Sequence, residues 1–316
     1  MPASQPPSLP HAKYLREDSM SEPCRDLLSS LPSEEDWVAA SLCLYQGFWF
    51  PSRLLSGVLA CQNHFQAHAS DILLVSNPKS GTTWLKAILF ALLNRAKYST
   101  SDSQRRHPLL TQNPHGLVPF LEIQLYHEQE NPDLAAFESP RLFATHLPYS
   151  SSTIGEGLQV QAGLPLRSEE KGQIPLSKCL DKYCQGVSQY GPYWDHVLGY
   201  YKASSEMPEK VLFMMYEEMK EDPCVHVRRL ADFLGCPFSE EELRHGAVEG
   251  ILRMCSFDIL STMEVNKSGK WPTGYQNQWF FRRGEVGDWV NYMSAEMGER
   301  IDGVMEEKLH GSGLKL

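Results

Sequence analysis

Ile72-Leu73-Leu74-Val75-Ser76-Asn77-Pro78-Lys79-Ser80-Gly81-Thr82-Thr83-Trp84 decides how this chain is read. The aliphatic run predicts a buried strand. The spacing of Trp84, Leu85, Ile88, Leu89, Leu92 and Leu93 predicts an amphipathic helix running to Arg95. A strand that turns directly into a helix leaves the first N–H groups of that helix without partners, and these donors with the helix dipole form an anion site. Gly81 permits close backbone approach, Lys79 adds charge, and Ser80, Thr82 and Thr83 add hydroxyl donors. The segment reads as a P-loop-like cradle for phosphate or sulfate. It does not read as a nucleoside triphosphate loop. That pattern places a glycine directly before its lysine and another five residues earlier, whereas Pro78 precedes Lys79 here.

Outward from the cradle, Leu142 to Thr145 predicts a second strand leading into His146, and Val211 to Met215 a fully buried parallel strand closed by Tyr216. A helical stretch from Lys178 to Ser204 is interrupted near Gly191-Pro192, and Ser239 with Glu242 forms a capping box ahead of Leu243, Ile251 and Leu252. Strands alternating with helices predict an α/β fold: a single domain with a doubly wound parallel sheet flanked by helices. Ser33 to Asp36 reads as a helix start or turn. The aromatic-rich stretch Cys43 to Pro51 reads equally as a flap on the core or as a pocket wall. Five prolines among the first 23 residues predict a disordered tail over residues 1–30, which leaves 31–316 as the folded domain.

A formal charge of −10 and a pI near 5.6 argue against a general nucleic-acid or anionic-membrane binder. An anionic ligand must then be drawn by a local basic site. The eight cysteines are scattered without a C-x-x-C pair, the start lacks the marks of a signal peptide, and no apolar run approaches a membrane span. These features predict a reduced, cytosolic protein whose thiols are free and mostly buried.

The cradle resembles that of the cytosolic sulfotransferases, especially their plant branch, which bind 3′-phosphoadenylyl sulfate (PAPS) on a loop reading P-K-S-G-T-T-W. The resemblance extends through Arg141-Leu142-Phe143-Ala144-Thr145-His146-Leu147-Pro148, through Val211 to Met219, and through Phe280 to Trp289. It implies a PAPS-dependent sulfotransferase acting on a hydroxyl of a small hydrophobic acceptor, phenolic, flavonoid or steroid-like, in the cytoplasm, as a monomer or homodimer. By resemblance His146 is the general base, and Lys79 neutralises charge on the leaving phosphate. Ser80, Gly81, Thr82 and Thr83 belong to the loop around the 5′-phosphate. Trp84 walls the adenine or anchors the helix, and Tyr216 lies on the adenine side. Arg282, Arg283 and Gly284 meet the 3′-phosphate, where the family has Arg-Lys-Gly. No metal is implied.

Between Tyr149 and Ser168 the resemblance lapses. The family carries there a hydrophobic strand ending in a motif like R-N-P-K-D, whose arginine, with a serine eight positions on, clamps the 3′-phosphate. Residues 150–165 contain no arginine, and Arg167 lies in the resumed part, so the clamp is not carried onto it. Losing two hydrogen bonds to a charged phosphate costs about 3–6 kcal/mol, or about 10²- to 10⁴-fold in affinity. Leu158, Val160 and Ala162 alternate with polar residues, which predicts at most a weak replacement strand between Gly157 and Gly163. The alternative function is therefore a catalytically impaired relative that binds nucleotide or metabolite weakly. A nucleotide kinase or NTPase fits worst, for want of the triphosphate-loop glycine.

Overall fold

The computed structural model describes residues 20–36, 41–98, 107–151, 158–161, 175–271 and 276–316. In chain order the elements are α1 (Glu22–Ser30), β1 (Ser33–Glu35), β2 (Ser41–Tyr45), β3 (Phe48–Pro51), α2 (Leu55–His64), β4 (Ile72–Val75), α3 (Thr82–Leu93), α4 (Pro114–Leu117), α5 (Tyr126–Glu128), β5 (Leu142–Thr145), β6 (Leu158–Gln161), α6 (Leu176–Cys184), α7 (Tyr193–Glu206), β7 (Phe213–Met215), α8 (Tyr216–Glu221), α9 (Pro223–Phe233), α10 (Glu240–Arg244), α11 (Ala247–Met254), α12 (Phe257–Thr262), α13 (Glu264–Lys267) and α14 (Ala295–Leu309).

The predicted strands assemble into a four-stranded, wholly parallel sheet in the order β5-β4-β6-β7. Strand order turns round at β4, and in open α/β sheets ligands bind at the carboxyl ends of strands beside such a switch. The cradle follows β4 there, and His146 follows β5. At the opposite end Arg141 holds Asp71 with two charge-assisted bonds, Nε to Oδ1 at 2.7 Å and an Nη to Oδ2 at 2.6 Å. This buried fork locks the start of β4 to the start of β5, whose register runs from Ile72 opposite Leu142 to Val75 opposite Thr145.

The slot beside β4 where the resemblance lapses is filled. Backbone of β6 pairs with β4 (Leu74 opposite Leu158) and with β7 (Gln159 opposite Phe213), so the neighbouring strands keep ladder partners. Gly157, Ala162, Gly163 and Arg167 lie outside the described residues. β7 starts two residues later than predicted. It is a sheet edge, so Phe213 and Met215 are only half-buried while Met214 is fully buried, and the expectation of a wholly buried strand is corrected.

Three further expectations change. Ser33 to Glu35 is a strand, because its backbone finds β2 as an antiparallel partner, Ser33 opposite Cys43, and strand pairing outweighs the local helix-start signal. With β3 these strands form a second, antiparallel sheet, the hairpin closing through Gln46 and Gly47 at φ 51° and 84°, as a two-residue type I′ loop requires. Residues 22–30 of the expected tail are helical as α1, with Cys24 buried and Leu27 and Leu28 packed on the core; residues 1–19 lie outside the described set. All eight cysteines are free, but only Cys24, Cys43, Cys61 and Cys255 are fully buried.

α3 carries the predicted stripe, with Leu85, Ile88, Leu89 and Leu92 fully buried, and ends at Leu93. The helical stretch divides at Gly191-Pro192 into α6 and α7 as expected, and the Ser239–Glu242 capping box forms at α10. Among the described residues no helix is long and apolar enough to cross a membrane.

Candidate functional site: an anion cradle facing a buried imidazole

The turn from β4 into α3 is left-handed at two residues, Lys79 (φ 70°) and Gly81 (φ 83°). Gly81 has a second reason to lack a side chain, since a Cβ there would lie 2.6 Å from Cδ2 of Tyr216. Lys79 carries the strain of a non-glycine αL residue, on the order of 1–3 kcal/mol, and such outliers persist where surrounding structure holds them. Among the described residues the N–H groups of Gly81, Thr82, Thr83 and Trp84 meet no acceptor. Four convergent donors at a helix start fit a phosphate or sulfate.

The hydroxyls behave differently from the expectation. Ser80 is fully buried and donates to the carbonyl of Asn77, so its proton is committed to the loop itself. Thr82 bonds the Ser76 hydroxyl at 2.7 Å, and Thr83 bonds His115 Nε2 at 2.9 Å. Backbone amides are thus the principal donors of the cradle.

Lys79 is exposed by its accessible surface although protein atoms crowd round it. Desolvation, with the nearby charge of Arg282 as a smaller cause, lowers its pKa to about 8. Its ammonium lies 3.4 Å from the Trp279 carbonyl and 5.6 Å from the centre of the Phe280 ring.

His146 is held at every polar atom but one. Its N–H donates to Glu122 Oε1 at 2.9 Å, and its carbonyl accepts from His196 Nε2 at 3.0 Å. Its Nδ1 faces the carbonyl of Ser76; a carbonyl only accepts, so Nδ1 carries the proton and Nε2 presents its lone pair. Phe120 and Tyr190 lie against the ring, with centroids 4.5 and 5.3 Å away. Burial lowers the pKa of His146 to about 3, with the charges of Lys86, His196 and Lys79 adding to the effect and the Ser76 carbonyl opposing it. The sequence expectation of an imidazole near its ordinary pKa is thus corrected: the neutral form is dominant throughout the physiological range.

Tyr216 packs on Gly81 and meets Trp84 edge-to-face at 5.7 Å, while Lys220 lies 5.5 Å from the centre of the Trp84 ring. Trp84 is half-buried, and both its expected roles are compatible with that position. Arg282 and Arg283 both face buried Asp288, at 2.7 and 3.7 Å, and their side chains are 40% and 50% exposed. They are therefore accessible while anchored from behind. Gly284 (φ 67°) lies against Phe257, where a Cβ would come within 2.7 Å of the ring. The structure brings Lys79, the loop amides, Tyr216 and Arg282 to one region, with His146 within electrostatic reach of Lys79.

Several residues of this region escaped the sequence reading. Glu122, fully buried, accepts from the His146 N–H and from the Thr145 hydroxyl. Lys86, also fully buried, donates to the Val118 carbonyl at 2.7 Å and sits 3.3 Å from the centre of the Phe120 ring. Burial raises the pKa of Glu122 and lowers that of Lys86, and each opposes the other's shift. His115 joins the cradle through Thr83. A charged residue inside an apolar helix stripe, such as Lys86 in α3, was the one available signal.

The sulfotransferase-domain family model matches residues 69–154 and 161–313, so the chain belongs to the sulfotransferase family, whose members transfer a sulfuryl group from PAPS. Its kind is the plant-type cytosolic one. It is 45% identical to cytosolic sulfotransferase 5 of Arabidopsis thaliana over 95% of this chain and 98% of that one, and 44% identical to cytosolic sulfotransferase 1 of the same plant over 95% and 96%. A sulphotransferase crystal structure from Arabidopsis thaliana aligns with TM-score 0.74 at 38% identity, over 98% of this chain and 100% of the other. Retinol dehydratase in complex with retinol and PAP shares the fold at TM-score 0.63 and 18% identity, over 94% and 97%. The family match breaks between residues 154 and 161, inside the stretch where the sequence resemblance lapses.

Proposed function

We propose that this protein transfers the sulfuryl group of PAPS to a hydroxyl of a small hydrophobic acceptor in the cytoplasm, with His146 as general base. The observation that carries this reading is the tautomer of His146: Nδ1–H committed to Ser76, Nε2 bare, at the strand end beside the cradle. PAPS supplies the activated sulfuryl group and a phosphate leaving group. The N–H groups of Gly81 to Trp84 bind its 5′ end, and Lys79 stabilises charge growing on the leaving oxygen. His146 Nε2 takes the proton of the acceptor hydroxyl, and the resulting imidazolium is held by the Ser76 carbonyl. Arg282 and Arg283, oriented by Asp288, take the 3′-phosphate. The aromatic faces of Phe120 and Tyr190 beside His146 suit a flat or polycyclic acceptor. Retinol dehydratase, a relative in fold, binds the alcohols retinol and androsterone.

Transfer of labelled sulfate from PAPS to a panel of phenols, flavonoids and steroidal alcohols tests the reading. Labelled product that disappears in His146→Ala is the expected result. Absence of product, under conditions where cytosolic sulfotransferase 5 is active, would overturn it in favour of a weakly binding, impaired relative. That second reading is favoured by one observation, the absence of any arginine in residues 150–165.

A further inference from the structure

The two halves of the proposed cofactor site lie far apart in sequence, the cradle at 79–84 and the basic turn at 282–284, and a buried chain of hydrogen bonds runs between the segments that carry them. It starts on the cradle helix, where the Thr83 hydroxyl bonds His115 Nε2 at 2.9 Å. The N–H of His115 donates to Asn113 Oδ1 at 2.9 Å, capping α4. Asn113 Nδ2 donates to Asn266 Oδ1 at 2.9 Å, and Asn266 Nδ2 donates to the Leu260 carbonyl at 2.8 Å, which brings the chain into α12 and α13. His115, Asn113 and Asn266 are all at most 7% exposed.

The segment reached this way is the one that bears the basic turn. Phe257, the first residue of α12, lies against Gly284. The side chain of Asn277 donates to the Val265 carbonyl at 2.8 Å, fastening α13 to the stretch leading to Arg282. The His115 ring itself touches Phe280 with centroids 4.3 Å apart. A side-chain amide pair buried between two segments is a costly device unless its geometry is kept, because each unpaired partner would lose its hydrogen bond in a dry setting. Two buried asparagines thereby fix one relative placement of the segments, where an apolar contact would tolerate sliding.

We propose that Asn113 and Asn266, with His115, are positioning residues that set the span between the 5′-phosphosulfate cradle and the Arg282-Arg283 turn. They give the chain its discrimination between nucleotides with and without a 3′-phosphate. The inference rests on the cofactor assignment of the preceding section. It matters most in a chain lacking the usual clamp in residues 150–165, since the basic turn then bears the 3′-phosphate with less help.

The test is calorimetric binding of 3′,5′-adenosine bisphosphate and of 5′-AMP to the full-length wild type, to Asn113→Asp and to Asn266→Ala. Asn113→Asp keeps the acceptor that caps α4 and removes the donor to Asn266. In both variants, bisphosphate affinity is expected to fall about tenfold, as for a lost bond to a charged group, while AMP affinity stays within about twofold. Folded variants that keep the bisphosphate preference, or that lose both ligands in proportion, would overturn the positioning role. A wild type that binds the two nucleotides alike would instead overturn the cofactor assignment, and the inference with it. Hydrogen exchange on the wild type keeps the question open to decision if neither variant folds. 3′,5′-Adenosine bisphosphate should protect amides of residues 257–267 where AMP does not, and equal protection by the two nucleotides would overturn the proposal.

Discussion

At the level of single residues, burial lowers the two pKa values on which the proposed chemistry depends. His146 acts as a base in its neutral form, which is present above its folded pKa of about 3, so acid deprives the enzyme of the base only far below neutrality. Lys79 acts in its charged form, which is lost as pH rises through about 8. The profile of kcat/KM, which reports the free enzyme, should therefore be flat through neutrality, with an alkaline limb near 8 and no inflection near the ordinary imidazole value of about 6.5. A bound anion raises the lysine pKa, so the alkaline limb should move upward in kcat. An acid limb centred near 6.5 would contradict the buried, Ser76-bonded state of the ring. His146→Ala should lower kcat by about 10²- to 10⁴-fold, the usual contribution of a positioned general base, with bisphosphate affinity in calorimetry nearly unchanged. Gly81→Ala should act on binding instead. Its φ of 83° and the Tyr216 ring 2.6 Å from the added carbon force the cradle open, at a cost of about 1–3 kcal/mol. Titration with bisphosphate should show the loss as weaker affinity, and a variant binding normally would mean that the turn does not shape the anion site.

Among the elements, β6 decides whether the sheet is continuous. Gln159 is opposite both Val75 and Phe213, so its backbone sits in the middle of the ladder. A proline there removes a donor and is incompatible with a central strand, and the acceptor left unpaired opposite it costs about 1–3 kcal/mol. Gln159→Pro should accordingly lower the urea midpoint substantially, and an unchanged midpoint would show that the strand contributes no pairing. How much of this was legible depended on the range of the signal. β4, α3 and β5 were readable because aliphatic runs and a helical stripe are local patterns, and the cradle because its glycine, lysine and hydroxyls are contiguous. β1 was not, since only its pairing with β2 makes Ser33 to Glu35 a strand. Glu122, Lys86 and His115 were hidden for the same reason. Their role comes from partners many residues away, and only Lys86, a charge inside an apolar helix stripe, carries a local mark. Ser80 was legible as a loop residue but not as a committed donor, because which acceptor takes a hydroxyl proton is a property of the folded turn.

For the molecule as a whole, the net charge of −10 repels an anionic nucleotide, so affinity must come from the cradle and the basic turn together. That makes global stability a sensitive reporter of whether both halves are intact. A ligand binding only the folded state stabilises it by RT ln(1 + [L]/Kd), which is about 4.1 kcal/mol when the ligand is at 1,000 times Kd and about 0.4 kcal/mol when it merely equals Kd. With bisphosphate at about 1 mM, a micromolar site and a millimolar site differ by that whole interval, the same order as the two lost clamp bonds. An active sulfotransferase should therefore show a thermal midpoint raised by several degrees, with a smaller rise in the Arg282→Ala/Arg283→Ala variant. A rise of about a degree or less in the wild type would place the affinity in the millimolar range. In that case the loop amides and His146 would be correctly arranged in a protein that seldom holds its co-substrate, and labelled sulfate transfer would saturate only at correspondingly high PAPS.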